Sequence, residues 1–396
     1  MKLNYYDPLE KIHTFISPGK FIFGVGALKN IGNELEILNQ DKIFLITDKE
    51  IRNTVPVKEF ISILLSHKFK VKIFESEIKE PTADMINIFV DFVRSEKKGI
   101  VIGIGGGSIM DQAKIASAMA TNEGEAENYV GVNKIQNDSL PLILIPTTAG
   151  TGAEASKNAV FVGKKGKLVV SSSKILPILA VIDPIVTISL PPRPTAFTGM
   201  DTLSHAIECI MSLNCNPMVM ASALEVISLV NTNLPIAYFN GSNIKARYEM
   251  CIAATLGGLC LNAGVVLGHS IAFTLDHFNI PHGLGCAIAL PYVIKFNSPV
   301  IFYKMKRIAR ALGLNDNRIN DPVQITSYIV DTIKNLNFLF NIPLSLKSMA
   351  IDKEKIKELA DECFSKYPRP NNPREYSKDN IITLYEKVWS GELDIS

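Results

Sequence analysis

The sequence is short of net charge, of paired cysteines and of histidine. Its 41 basic residues stand against 39 acidic ones, a formal net charge of +2. So even a balance gives no long-range pull toward nucleic acid or an anionic membrane, which leaves any anionic partner to a local site. The six cysteines (Cys209, Cys215, Cys251, Cys260, Cys286, Cys363) lie far apart, without a C-x-x-C. That spacing excludes the disulfide framework of small secreted domains and suits a reducing, cytoplasmic compartment. The first eight residues, Met1 to Pro8, lack the apolar stretch of a signal peptide. No internal repeat or low-complexity tract interrupts the chain. Histidine occurs six times, at 13, 67, 205, 269, 277 and 282.

What is present is a globular composition, 47% hydrophobic and 20% charged over 396 residues. A chain of that length exceeds one ordinary core and predicts two domains. Over 1–189 apolar runs alternate with amphipathic stretches. Lys42–Asp48, Lys70–Phe74, Gly99–Ile104, Leu140–Pro146 and Leu179–Pro184 read as strands. Between them, Val57–His67, Ala83–Arg94 and Ile109–Ala120 read as helices. This alternation predicts βαβ units and a parallel, dinucleotide-binding sheet. Asn158–Val162 and Leu168–Val170 flank the basic turn Gly163–Lys167 and read as a hairpin. Asp48 closes its strand at the carboxyl end, where open α/β sheets bind ligands. Gly105-Gly106-Gly107-Ser108 joins a strand to a helix, and its amides suit a pyrophosphate better than a plain tight turn requires. Ser108 and Asp111 also have the spacing of a capping box. Thr147, Thr148 and Thr151 follow another strand, in a loop of small residues that can line a ligand.

Pro191-Pro192-Arg193-Pro194 reads as a linker, and 190–396 as a helical bundle with a helix from about Asp201. Cys251–Leu275 carries no charged residue and is long enough to cross a bilayer. Its polar residues and glycines favour instead a helix pair buried in the helical core, so no membrane span is expected. Asp201 and His205 stand four apart and share one helix face. Alone, the pair fits a capping aspartate and a hydrogen-bonded histidine better than a metal site. His269, in the uncharged run, and His282, at the entrance to another apolar helix, can converge with them. One carboxylate and three imidazoles suit Fe(II), Zn(II) or Mn(II). His277 is either a group beside that centre or a solvent-facing turn residue.

Four blocks then carry a resemblance: Gly105–Lys114, Pro146–Glu154, Gly199–Glu208, and His269 with Pro281-His282-Gly283. In this order they resemble the iron-dependent (group III) alcohol dehydrogenases, across nearly the whole chain. The resemblance implies NAD(P) with its pyrophosphate on Gly105–Ser108, near Asp111. Thr147, Thr148 and Thr151 would line the cofactor, and Lys167 would reach toward its ribose. It implies Asp201, His205, His269 and His282 as ligands of the metal, Fe(II) before Zn(II) or Mn(II). Asp48 falls where members using NAD carry an acid, and a carboxylate there repels a 2′-phosphate, so NAD is expected over NADP. Many members place a second histidine four residues after His269. Phe273 holds that place here, which leaves His277 as the candidate for the proton relay. Phe161 and Phe273 are candidate walls of the substrate pocket.

The expected activity is reversible hydride transfer between a small primary alcohol or aldehyde and NAD(H), by a homodimer. The alternatives are a glycerol dehydrogenase-like or dehydroquinate synthase-like enzyme, or a non-catalytic NAD-binding relative.

Overall fold

The computed structural model describes residues 12–76, 81–95, 98–164, 166–316 and 318–393. The N-terminal octapeptide and Lys165 of the basic turn lie outside them. The chain forms two compact units, one of Ile16–Leu190 with Gly241–Leu259, the other of Pro191–Asn240 with the chain from Cys260 onward.

In chain order the first stretch runs β1 (Phe21–Phe23), α1 (Ile31–Glu36), β2 (Lys42–Asp48), α2 (Lys49–Arg52), α3 (Val55–Ser66), β3 (Lys70–Ser76) and α4 (Ala83–Arg94). It continues through β4 (Ile100–Gly105), α5 (Gly107–Met119), β5 (Gly131–Val132), β6 (Leu142–Pro146), β7 (Asn158–Gly163), β8 (Gly166–Ser171) and β9 (Leu179–Ile182). Six strands form one sheet in the order β1-β9-β6-β4-β2-β3, and β5, β8 and β7 form a second. Every pairing in the larger sheet is parallel, while β7 and β8 make the antiparallel hairpin.

Both faces of the larger sheet are covered, which is why its strands read as unbroken apolar runs. Along β2, Phe44 and Ile46 enter one core with Val101, Leu142 and Leu144. Ile43 and Leu45 enter the other with Ile100, Ile102, Ile104, Ile143 and Ile145. Each such side chain contributes roughly 1.5–3 kcal/mol on burial. Helix α4 shows how a flanking helix is specified. Ile86, Phe89, Val90 and Val93 repeat at helical spacing and are all buried, and Thr82 caps the start by accepting the Met85 N–H at 3.3 Å. Phe161, expected at a substrate wall, instead sits in the core of this unit.

The remaining helices are α6 (Pro192–Met211), α7 (Pro217–Phe239), α8 (Ile244–Cys260), α9 (Leu267–Thr274), α10 (His282–Asn297), α11 (Phe302–Ala311), α12 (Pro322–Leu339), α13 (Lys355–Lys366) and α14 (Lys378–Ser390). Two expectations change here. The proline run is no linker, because Pro191 is the N-cap of α6, and Pro192 and Pro194 lie in its first turn. Proline is tolerated there because first-turn N–H groups have no partner within the helix. Helix α6 therefore begins nine residues before Asp201.

The uncharged run also divides differently. It forms two separate helices, α8 and α9, and most of α8 belongs to the α/β unit. Gly258 makes this possible, since a Cβ there would lie 2.1 Å from the carbonyl oxygen of Gly152. Thr255 seals the contact by donating to Glu154 Oε1 at 2.7 Å. In the other unit α7 is, among the described residues, the one helix long and apolar enough to cross a membrane. Its buried residues Val219, Ala223, Val226, Ile227 and Val230 mark it as a core helix.

Candidate metal centre and nucleotide turn

Three helices of the second unit converge on Asp201. Its residues from Gly199 to Met211 being buried throughout, α6 runs through the middle of that unit. Asp201 and His205 stand one turn apart on it, as their spacing requires. Helix α9 brings His269, and α10 brings His282 as its first residue. The Nε2 atoms of His205, His269 and His282 lie 3.8, 3.6 and 3.9 Å from Asp201 Oδ1. Gly283 permits the approach of α10 to α6, because a Cβ there would sit 2.2 Å from the Phe197 carbonyl oxygen. Asp201 Oδ1 and His269 Nε2 are fully buried, yet neither has a hydrogen-bond partner among the described residues. Buried polar atoms are rarely left so. A divalent cation among them would satisfy both, and the donor set, one carboxylate with three imidazoles, fits borderline ions.

Charge supports this. Burial alone would raise the Asp201 pKa, but His205, His282 and His269 around it hold the carboxyl well below the usual range. Burial pushes His205 down to about 4, so its ring is neutral near pH 7 with a lone pair to give. Burial opposes a charge on His269 as well, yet Cys286, Glu208 and Asp201 hold its pKa well above the imidazole range, so this ring offers Nε2 to an ion only by releasing a proton as the ion binds.

Two neighbours went unrecognised in the sequence. Glu208 closes the same motif as Asp201, about two turns further along α6, and is fully buried. Its Oε1 faces His269 Nδ1 at 2.7 Å, and its Oε2 accepts the Val266 and His269 N–H groups at 2.9 and 3.4 Å. The carboxylate thus fixes the ring so that Nε2 points at Asp201, the usual support of a metal-binding histidine. Gly268 makes room for it, as a Cβ there would lie 2.4 Å from Glu208 Oε1. The signal was available, since the i+7 spacing from Asp201 puts Glu208 on the same helix face. The second neighbour is Cys286, whose Sγ lies 3.6 Å from His282 Nε2.

His282 is the open corner of the cluster, with 24% of its side chain exposed against 4–6% for the other three. Phe273 stacks on it at 5.2 Å between centroids, and Tyr367 packs edge-on against Phe273. The Arg369 guanidinium stands 5.7 Å from the Phe273 ring and donates to Ser270 Oγ at 2.8 Å. Phe273 therefore presents an apolar ring beside the centre. His277 is not brought into the cluster. Its side chain is 56% exposed and its Nε2 lies 2.7 Å from Glu362 Oε2, because the turn after α9 faces it outward.

The nucleotide candidates fall in the other unit. Gly106 is the N-cap of α5, without a side-chain cap. The capping box expected of Ser108 and Asp111 does not form. The helix starts two residues too early for it, and Asp111 instead accepts the Val160 N–H of β7 at 2.9 Å. Burial pushes the Asp111 carboxyl up to about 6, against the nearby Lys114 ammonium. The glycine turn packs on the threonine loop. Thr147 N–H donates to Gly105 O at 3.0 Å, and Cβ atoms at Gly106 and Gly107 would meet Thr148 at 3.5 Å and Thr151 at 2.7 Å. The turn and Thr147, Thr148 and Thr151 thus form one small-residue cradle. Asp48 is 7% exposed at the end of β2, where its Oδ1 caps α2 by accepting the Ile51 N–H at 2.8 Å. Lys167 stands on β8 opposite Val162, partly buried.

Comparison with known proteins gives this geometry a family. Residues 18–184 match the family model described as iron-containing alcohol dehydrogenase, and residues 195–389 match that of the Fe-containing alcohol dehydrogenase family, C-terminal. The chain belongs to the iron-containing alcohol dehydrogenase family. Among its relatives is a sulfoacetaldehyde reductase of Bilophila wadsworthia, 33% identical over 93% of this chain and 96% of that protein. The crystal structure of a 1,3-propanediol oxidoreductase superposes with a TM-score of 0.92 at 28% identity, covering 96% of this chain and all of that one. A sulfoacetaldehyde reductase from Bifidobacterium kashiwanohense, solved in complex with NAD+, gives a TM-score of 0.87 at 28% identity over 96% of this chain and all of that one. This iron-containing alcohol dehydrogenase is thus an oxidoreductase of alcohols and aldehydes.

Proposed function

We propose that this enzyme interconverts a small primary alcohol and its aldehyde with NAD(H), using one divalent ion held by Asp201, His205, His269 and His282. The observation that carries the reading is the convergence of three imidazole Nε2 atoms within 3.9 Å of one buried, unpartnered carboxylate oxygen. The ion, when bound, supplies Lewis-acid polarisation of the substrate oxygen. Fe(II) is the ion we propose, with Zn(II) or Mn(II) compatible with the same donors.

The chain's own residues do the rest. Asp201 remains ionised across the working range, since its pKa is held low. His205 remains neutral. Glu208 accepts from His269 Nδ1 and keeps that proton in place, so the proton released on metal binding is the one on Nε2, which then faces the ion. His282, at the exposed corner, leaves an approach for substrate, and Phe273 beside it presents an apolar wall suited to a short aliphatic chain. In the other unit, the amides of Gly105–Ser108 and the positive end of α5 receive the pyrophosphate of NAD. Thr147, Thr148 and Thr151 line the cofactor, with Asp111 near it and Lys167 toward its ribose. Asp48 at the end of β2 accepts from the adenosine ribose and repels a 2′-phosphate, which selects NAD over NADP. The assembly we propose is a cytoplasmic homodimer, supported by the scattered thiols and by the edge position of β1 beside exposed Phe23 and Val25.

The test follows absorbance at 340 nm with protein loaded with Fe(II) without oxygen, NADH or NADPH, and a panel of short aldehydes. Turnover with NADH above NADPH is expected. No turnover with any aldehyde, or a clear preference for NADPH, contradicts the reading.

A further inference from the structure

Asp201, His269, His282 and Cys286 each offer one donor atom, and these four atoms all lie within 4.8 Å of one another. This quartet around the carboxylate includes a sulfur. Cys286 follows His282 by four residues on α10, so its side chain shares the face that carries the ligand. Its Sγ stands 3.6 Å from His282 Nε2. On one ion, with metal–sulfur and metal–nitrogen bonds of ~2.3 and ~2.0–2.1 Å, an angle of about 110° between them, within the range of a five-coordinate centre, puts the two donors roughly 3.6 Å apart. The residue is fully buried, so the sulfur is not spent on solvent.

We propose that Cys286 is a fifth donor to the ion, making this centre a mixed carboxylate–imidazole–thiolate site that favours thiophilic divalent ions. The proposal rests on the metal reading above. On loading, the thiol proton leaves to water as the sulfur–metal bond forms, and no electron is transferred. A soft donor raises affinity for Zn(II), Co(II) and Cd(II) relative to Mn(II) and Mg(II). The sequence around His282 does not announce this, since a lone cysteine in an apolar helix reads as a small buried hydrophobe.

The test is the spectrum of protein loaded with Co(II) in the absence of oxygen. Visible d–d bands at one Co(II) per chain report the ion in the Asp–His site. A near-ultraviolet sulfur-to-cobalt charge-transfer band reports Cys286. The band is expected in the wild type and is lost in Cys286→Ser and Cys286→Ala, while the visible bands remain and Cys215→Ser retains both. Visible bands with no charge-transfer band in the wild type, or a band that survives both substitutions, overturn the fifth donor and leave the metal reading standing. Failure to bind Co(II) overturns both. X-ray absorption of the zinc-loaded wild type needs no substitution, and a sulfur scatterer at ~2.3 Å is the expected result. A shell of nitrogen and oxygen alone overturns the proposal.

Discussion

Replacing Glu208 by Gln tests how far the centre depends on a residue that touches no ion. The carboxylate accepts three N–H groups, one from the His269 ring at Nδ1 and two from the backbone of Val266 and His269. Glutamine has one acceptor oxygen and a donating NH2. With that oxygen toward the ring, the NH2 faces two backbone donors in a fully buried site, and the unsatisfied groups cost about 1–3 kcal/mol. With the NH2 toward the ring, Nδ1 must become the acceptor and the proton moves to Nε2, which removes the lone pair aimed at Asp201. Either way metal affinity should fall by roughly 10- to 100-fold, about 1.4–2.8 kcal/mol. Competition against a chelator of known affinity measures this, with circular dichroism as the check on folding. Gly268→Ala should act in the same direction, since its Cβ would strike Glu208 Oε1. A folded Glu208→Gln protein whose metal affinity stays within about twofold of wild type would refute the orienting role.

His277→Ala removes a surface contact with Glu362 and should leave kcat and its pH profile unchanged, with stability moving by less than about 0.5 kcal/mol. Loss of one limb of the profile would restore His277 to the proton path. Gly107→Val places a Cβ 2.7 Å from Thr151 and should raise KM for NAD by roughly tenfold, about 1.4 kcal/mol of lost binding, with the metal content untouched. An unchanged KM removes the turn from the cofactor site. Asp111 has a folded-state pKa of about 6 against an ordinary 3.8, so the native state holds its proton more tightly than the unfolded chain. Its contribution is therefore fully present below the unfolded value and lost as pH rises toward 6, by roughly 3 kcal/mol in all. Urea unfolding at pH 4 and 7 should show this decline in the wild type and a flatter profile in Asp111→Asn. Identical slopes in the two proteins contradict it.

The parallel sheet was legible because burial on both faces turns its strands into continuous apolar runs, and α4 because its apolar spacing and Thr82 cap agree. Asp201, His205, His269 and His282 were legible as a set because histidine is scarce and helical spacing aligns the first pair. What failed was knowledge that only three dimensions hold. The proline run reads as a break until Pro192 and Pro194 are seen in the first turn of a helix, where proline costs nothing in hydrogen bonding. The return of α8 to the α/β unit depends on Gly152 and Gly258 meeting backbone to backbone, a contact no periodicity encodes. Ser108 and Asp111 have capping-box spacing, but the helix starts at Gly107 and Asp111 serves β7 instead. Glu208 and Cys286 are ordinary letters in apolar helices, and only the convergence of α6, α9 and α10 gives them a role.

The most direct test of the account is activity against metal content. Protein stripped by a chelator and titrated with Fe(II) without oxygen should gain alcohol–NAD turnover linearly, with a break at one ion per chain. The same titration should leave Asp201→Asn and His269→Ala inactive. Full turnover in the stripped wild type, or equal recovery in those two variants, would contradict the claim that Asp201 and His269, with His205 and His282, hold the ion on which the chemistry depends.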